Sequence, residues 1–187
     1  MESLGLELRE DTIEGLSSLP IFPIRVWDDP VLSELCTEVT DFNDSLSLFA
    51  KGLEATMLKN DGLGLAASQV GVLKRIFVMK RYAHDENRKS QILVLCNPKL
   101  ELSGNMTPGM EGCLSLPGIF DQVPRYPSCT VYYKDVLGKA HQVVLDDLDS
   151  RIAQHEIDHL DGIMFFQNMS RNLRKHVLRQ WWEKQGK

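Results

Sequence analysis

The segment best suited to chemistry is Gln154-His155-Glu156-Ile157-Asp158-His159, an HExxH pattern. Side chains four residues apart stand one above the other on a helix, so His155 and His159 can both offer imidazole nitrogens to one metal ion. Glu156 follows the first histidine, where its carboxylate can reach water at the ion without binding the ion itself. A surface helix with incidental histidines would read the same way. With only 5 His in 187 residues, that coincidence is a poor account of the spacing.

A catalytic metal site uses three protein ligands and keeps one position open for water. A metzincin would place another histidine six residues after His159, but Phe165 stands there. A thermolysin-like site would draw a glutamate from a downstream helix. Glu183 is the only downstream glutamate, close to the end of the chain, and His176 lies in a basic stretch expected at the surface. An upstream candidate is Cys113 in Glu111-Gly112-Cys113-Leu114-Ser115-Leu116-Pro117, after the Gly104 to Gly109 loop. A thiolate suits zinc or ferrous iron, although a cysteine beside a glycine is equally at home as a buried turn residue. A third feature is Gly62-Leu63-Gly64-Leu65-Ala66-Ala67-Ser68-Gln69. Its small residues allow another chain to pass close to the backbone, as tight packing also would. No Gly-Lys-Ser/Thr follows, so it is not a phosphate loop. Gln69 is a neutral amide donor that could meet an oxyanion.

These residues must be held by an α+β scaffold. Leu46, Phe49, Leu53 and Met57 recur at helical spacing from about Asn43 to Lys59, and Asp61-Gly62 ends the run. Strands are expected at Arg75–Met79, Gln91–Cys96, Thr130–Lys134 and His141–Leu145, with Asp135–Lys139 as a hairpin turn. A helix from about Leu148 to Leu160 carries the histidines. Another starts near the cap Ser170 with Leu173, Val177 and Trp181 as its stripe. The expected architecture is antiparallel or mixed sheets around a central HExxH helix, with a C-terminal helix.

Composition sets the outer limits. A 43% hydrophobic, 25% charged chain of this length is an ordinary globular domain. Its longest apolar runs, such as Ile92–Cys96, are far short of the ~18 residues of a membrane span. Cys36, Cys96, Cys113 and Cys129 form no CxxC pair, so neither a disulfide framework nor a zinc ribbon is indicated. Residues 1–19 are an acidic leader, unlike a secretory or transit signal. If the chain starts at its natural beginning, it is expected in the cytoplasm. Arg171 to Lys187 carries +5 of a chain whose net charge is -5, so the rest is strongly acidic. The expected division is therefore a leader, a metallohydrolase body over 20–170, and a basic helix over 171–187 packed on the same domain.

GLGLAASQ at 62–69, EGCLS at 111–115 and QHEIDH at 154–159 resemble, in order and spacing, the three signatures of the peptide deformylase family. Asn97-Pro98, Pro117-Gly118, Val123-Pro124-Arg125 and Leu160-Asp161-Gly162 resemble its connecting sequence, so roughly residues 20–170 are covered. Ser68 departs from the proline or threonine common there, and the leader is longer than in a minimal bacterial form.

The resemblance implies removal of the N-formyl group from the formyl-methionine of nascent polypeptides, with release of formate. It implies Cys113, His155 and His159 as ligands of one divalent metal ion. Fe2+ is expected; Zn2+, Ni2+ or Co2+ would also suit these donors. Glu156 would move the proton, and the Gln69 side chain with the Leu114 N–H would hold the oxyanion. Gly64 and Gly112 would pair with the peptide backbone. Leu148 and Ile152 precede His155 by seven and three residues on the ligand-bearing face, and with Leu63 they are expected to line the methionine pocket. Partners are formyl-methionyl peptides and, through the basic helix, the ribosome near its tunnel exit; no membrane is involved. The competing readings are an HExxH zinc endopeptidase using Glu183, and a deformylase-like scaffold that only binds ribosomes.

Overall fold

A computed structural model describes residues 19–82 and 90–186. The acidic leader, apart from Leu19, lies outside the described residues. Seven strands run β1 (Gly64–Ala66), β2 (Ile76–Tyr82), β3 (Ser90–Ser103), β4 (Thr107–Gly112), β5 (Phe120–Arg125), β6 (Ser128–Lys134) and β7 (Ala140–Asp146). Five of them form one antiparallel sheet in the order β1-β2-β3-β6-β7, and β4 pairs with β5 in a separate sheet. The helices are α1 (Asp44–Lys59), α2 (Asp147–Leu160) and α3 (Arg171–Lys184).

The caps explain where the helices start. The Leu46 N–H donates to Asn43 Oδ1 at 3.0 Å, and the Leu173 N–H to the Ser170 hydroxyl at 3.4 Å. Helix α1 buries Leu53 and Met57 against Leu65 and Val78 of the sheet. At the expected hairpin turn, Asp135 Oδ1 accepts from the Leu137 and Lys139 N–H groups at 2.9 and 3.0 Å. Gly138 there has a φ of 82°, which a side chain would oppose.

Helix α2 is not a two-faced surface helix. Ala153, Ile157 and Leu160 pack on Phe77, Leu95, Val131 and Leu145 of the five-stranded sheet. Gln154, His155, Glu156 and His159 are buried as well. Gln154 is satisfied by the backbone of Tyr126, donating to its carbonyl at 2.8 Å and accepting from its N–H at 3.1 Å.

Helix α3 closes a second core. Val177 and Trp181 pack with Leu116, Ile119, Phe165 and Phe166. The expected stripe is corrected at its first member: Leu173 is 40% exposed, because the first turn meets the body through Arg174, which donates to the Phe166 and Gln167 carbonyls. Lys184 Nζ donates to the Pro117 carbonyl at 3.1 Å, tying the end of α3 to the turn after Cys113. No helix among the described residues is long and apolar enough to cross a membrane.

Strands β1, β4 and β5 escape the pattern of the sequence. Of the region read as a Gly104 to Gly109 loop, residues 104–106 lie outside the strands but 107–109 are the start of β4, with Pro108 and Gly109 opposite Pro124 and Val123. A two-stranded sheet has two edges, and proline is tolerated where a strand edge needs no N–H. Cys36, Cys96 and Cys129 are buried, as small apolar side chains are, whereas Cys113 is only half-buried.

Candidate active site

Three elements meet at one cavity of about 710 Å³. Helix α2 supplies His155 and Glu156, the segment after β4 supplies Cys113 and Leu114, and β1 with the following 3-10 turn (Ala67–Val70) supplies Gly64 and Gln69. The ligand atoms of Cys113, His155 and His159 all lie within 4.8 Å of one another. Cys113 Sγ is 3.2 Å from His159 Nε2. Leu63, Gly64, Gln69, Gly112, Leu114, Leu148, Ile152 and Glu156 border the cavity too. His159 alone among the anticipated residues does not; it is 1% exposed and lies behind Cys113.

The donors are oriented from behind. His155 Nδ1 sits 2.9 Å from Glu111 Oε2, which leaves Nε2 for the cluster. Glu111 is gripped by Arg125 through Nε at 2.9 Å and NH2 at 3.1 Å. Arg125 NH1 reaches Asp158 Oδ2 at 2.5 Å, and Asn168 Nδ2 adds a bond to the same oxygen at 2.7 Å. Phe165, where a metzincin would have histidine, instead stacks on His155 with ring centroids 6.0 Å apart.

Gln69 has a defined direction. The Ala66 N–H donates to its Oε1 at 2.8 Å, so its amide nitrogen points to Ser115 Oγ at 3.2 Å and Cys113 Sγ at 3.5 Å. Ser68, the departure from the family pattern, donates its hydroxyl to the His159 carbonyl at 3.0 Å and so holds the last turn of α2.

Two buried carboxylates are driven apart. Burial alone would raise Glu111, but His155 and Arg125 outweigh it and hold its carboxyl down to about 2. Glu156 has no such partners: burial pushes it up to about 7, with His155 pulling the other way. Its Oε2 is buried and has no hydrogen-bond partner in the protein. Two carboxylates in one site are thereby set far apart in acidity, an arrangement suited to keeping one charged and letting the other exchange a proton. Burial would lower His155, but Cys113 and Glu111 overrule it and leave its imidazole well above its ordinary value. His159 falls well below, by burial and by the neighbouring His155.

Glycine at position 64 is demanded by this packing, because a Cβ there would collide with the Glu156 carboxylate. Gly112 is similarly covered by the Phe120 ring. Glu183, the alternative third ligand, is exposed and lies 3.9 Å from Arg179 on the outside of α3, so the endopeptidase arrangement has no support. His176 is exposed as expected. Residues that sequence reasoning passed over include Glu111, Arg151, Met110 and Phe120. Arg151 had a usable signal, since it precedes His155 by four and so shares its helix face.

Comparison with known proteins agrees with this geometry. A profile of the polypeptide deformylase family matches residues 21–175. The chain belongs to that family. It is 36% identical over 168 residues to the peptide deformylase of Thermus thermophilus, covering 84% of this chain and 87% of that one. Among solved structures, a peptide deformylase from Synechococcus elongatus in complex with actinonin superposes with a TM-score of 0.79 at 34% identity, covering 87% of this chain and 89% of that one. One from Ehrlichia chaffeensis, also with actinonin, gives 0.81 at 34% identity, covering 89% and 98%. As a member of the deformylase family, the chain is an enzyme that removes N-formyl groups from nascent polypeptides. The α+β fold with antiparallel sheets and a C-terminal helix is that of the family.

Proposed function

We propose that the enzyme is a one-metal formyl-methionine amide hydrolase in which α2 is the central HExxH helix and Cys113, His155 and His159 hold the ion. The carrying observation is the convergence of these three donors beside a carboxylate oxygen, Glu156 Oε2, that has no protein partner. A thiolate with two imidazoles suits Fe2+, which we expect, and equally Zn2+, Ni2+ or Co2+. When bound, the ion would acidify water and polarise the formyl carbonyl.

The protein's own groups would do the rest. Glu156 accepts a proton from the attacking water and returns it to the departing amine. The Gln69 amide and the Leu114 N–H hold the oxygen that gains charge, each such donor being worth about 3 kcal/mol. Gly64 of β1 and Gly112 of β4 both line the cavity and offer backbone to which an extended peptide can add as a strand. Leu63, Leu148 and Ile152 give the methionine side chain an apolar wall. Exclusion of ordinary peptide bonds follows from the room available: a formyl group has a hydrogen where an internal amide has a second chain.

The test is formate release from a formyl-Met tripeptide by anaerobically iron-loaded protein. Release of formate with the tripeptide otherwise intact is expected; cleavage between residues without formate would overturn the reading.

We further propose that 20–170 is the catalytic body, that α3 belongs to the same domain, and that the enzyme works in the cytoplasm at the ribosome. Arg171, Lys175 and Arg179 are exposed on α3 and form a face suited to a polyanion. Removing α3 would uncover Leu116, Ile119, Phe165 and Phe166, on which Val177 and Trp181 pack, so charge reversal is the cleaner probe. Changing the three basic residues to glutamate should abolish co-sedimentation with ribosomes at low salt, and unaltered co-sedimentation would refute the docking role.

A further inference from the structure

Arg151 lies one turn before His155 on α2, and the mechanism above leaves it without a role. Its side chain is 14% exposed at the edge of the cavity. Its NH1 donates to the Val123 carbonyl at 2.7 Å, to Glu111 Oε1 at 2.9 Å and to the Gly109 carbonyl at 3.3 Å. Its NH2 donates to the Thr107 carbonyl at 3.1 Å. One guanidinium thus reaches both strands of the β4–β5 sheet and also the carboxylate behind His155.

That sheet has no strand pairing with the five-stranded sheet, so no backbone ladder sets its distance from α2. Apart from one backbone bond, from the Asp147 N–H to the Pro127 carbonyl at 2.7 Å, side chains do so. Arg125 fastens β5 to α2 at Asp158, next to His159. Arg151 fastens β4 and β5 to the preceding turns of the helix, at the cavity. Gly109 is its counterpart, since a Cβ at that position would run into the Arg151 guanidinium. A planar fork that bridges several fixed acceptors is a task arginine performs and lysine does only in part.

We propose that Arg151 is a positioning residue for deformylation: it sets the gap between β4, whose Gly112 backbone receives the peptide, and α2, which carries His155 and Glu156. The inference rests on the reading of Gly112 as a substrate-pairing strand. A substrate with residues after the methionine depends on that gap, whereas formyl-Met amide, with no chain beyond the methionine, depends on it much less.

The experiment compares metal-loaded full-length protein with Arg151→Met, Arg151→Lys and Gly109→Ala on formyl-Met-Ala-Ser and on formyl-Met amide, with metal content and thermal midpoint measured in parallel. Arg151→Met should raise KM for the tripeptide about tenfold or more with a smaller change in kcat, and shift KM for the amide about twofold at most. Arg151→Lys should recover part of the loss. Gly109→Ala, which keeps the arginine but displaces it, should follow Arg151→Met and answers the question if that variant does not fold. Equal losses on both substrates, or a lowered midpoint with unchanged KM, would overturn the positioning role. Wild-type protein that handles both substrates alike would instead overturn the reading of Gly112, and this inference with it.

Discussion

Glu156→Gln should lower kcat for formate release by about 10³-fold while the protein keeps its metal and its fold. The change preserves the shape of a side chain that is 4% exposed and packed against Gly64, so no cavity opens. What is lost is the ability to take and return a proton. Glu156 differs from the other buried carboxylate of the site in this respect. Glu111 is bonded by two arginines and His155, and its charge is used to hold them. Glu156 faces the cavity with an oxygen that no protein group satisfies. Steady-state kinetics with metal analysis of the same preparation decide the matter. Metal-replete Glu156→Gln with wild-type kcat would remove Glu156 from the mechanism; loss of metal in the variant would make it a ligand instead.

Cys113→Ala should weaken divalent-metal binding by on the order of 10²-fold or more and abolish deformylation at ordinary metal concentrations. Cys113 Sγ accepts from the Ser115 N–H at 3.4 Å and from Gln69 Nε2 at 3.5 Å, which fix its direction toward the two histidines. With only His155 and His159 left, the site becomes a two-donor site. Stability offers a second readout. Metal at a hundredfold excess over its dissociation constant stabilises the folded protein by about 2.7 kcal/mol, so stripping wild-type protein with a chelator should lower its thermal midpoint. Cys113→Ala should show no such difference between stripped and metal-supplemented samples. Stoichiometric metal in the variant would mean that another side chain completes the site.

Much of this site can be read directly from the chain, for a physical reason. His155 and His159 are related by helix periodicity alone, so local spacing reveals them. The helix boundaries were similarly open to reading, because Asn43 and Ser170 cap locally. Cys113 was harder. It reaches His159 only through the tertiary fold, and by residue type alone it reads as a buried turn cysteine. Arg151 and Glu111 escape a reading of the chain because their bonds join helix α2 to the β4–β5 sheet, across 40 residues of sequence. Strands β4 and β5 were missed because Pro108, Gly109, Gly112 and Pro124 disguise them. Beside their own ladder they are held by Arg151 arriving from α2, which no local pattern encodes. Leu173 illustrates the opposite error: its spacing fits the stripe, but the first turn of α3 meets the body through Arg174 and leaves Leu173 outside.

The contrast among the four cysteines has a practical consequence. Cys36, Cys96 and Cys129 are 7%, 0% and 1% exposed, and burial raises the pKa of all three thiols, that of Cys96 to about 12. Cys113, in contrast, is half-buried and lines the active-site cavity. In the folded enzyme the number of thiols that react quickly with an alkylating reagent is therefore a gauge of metal loading: one per molecule when Cys113 is unligated, and none when it is coordinated.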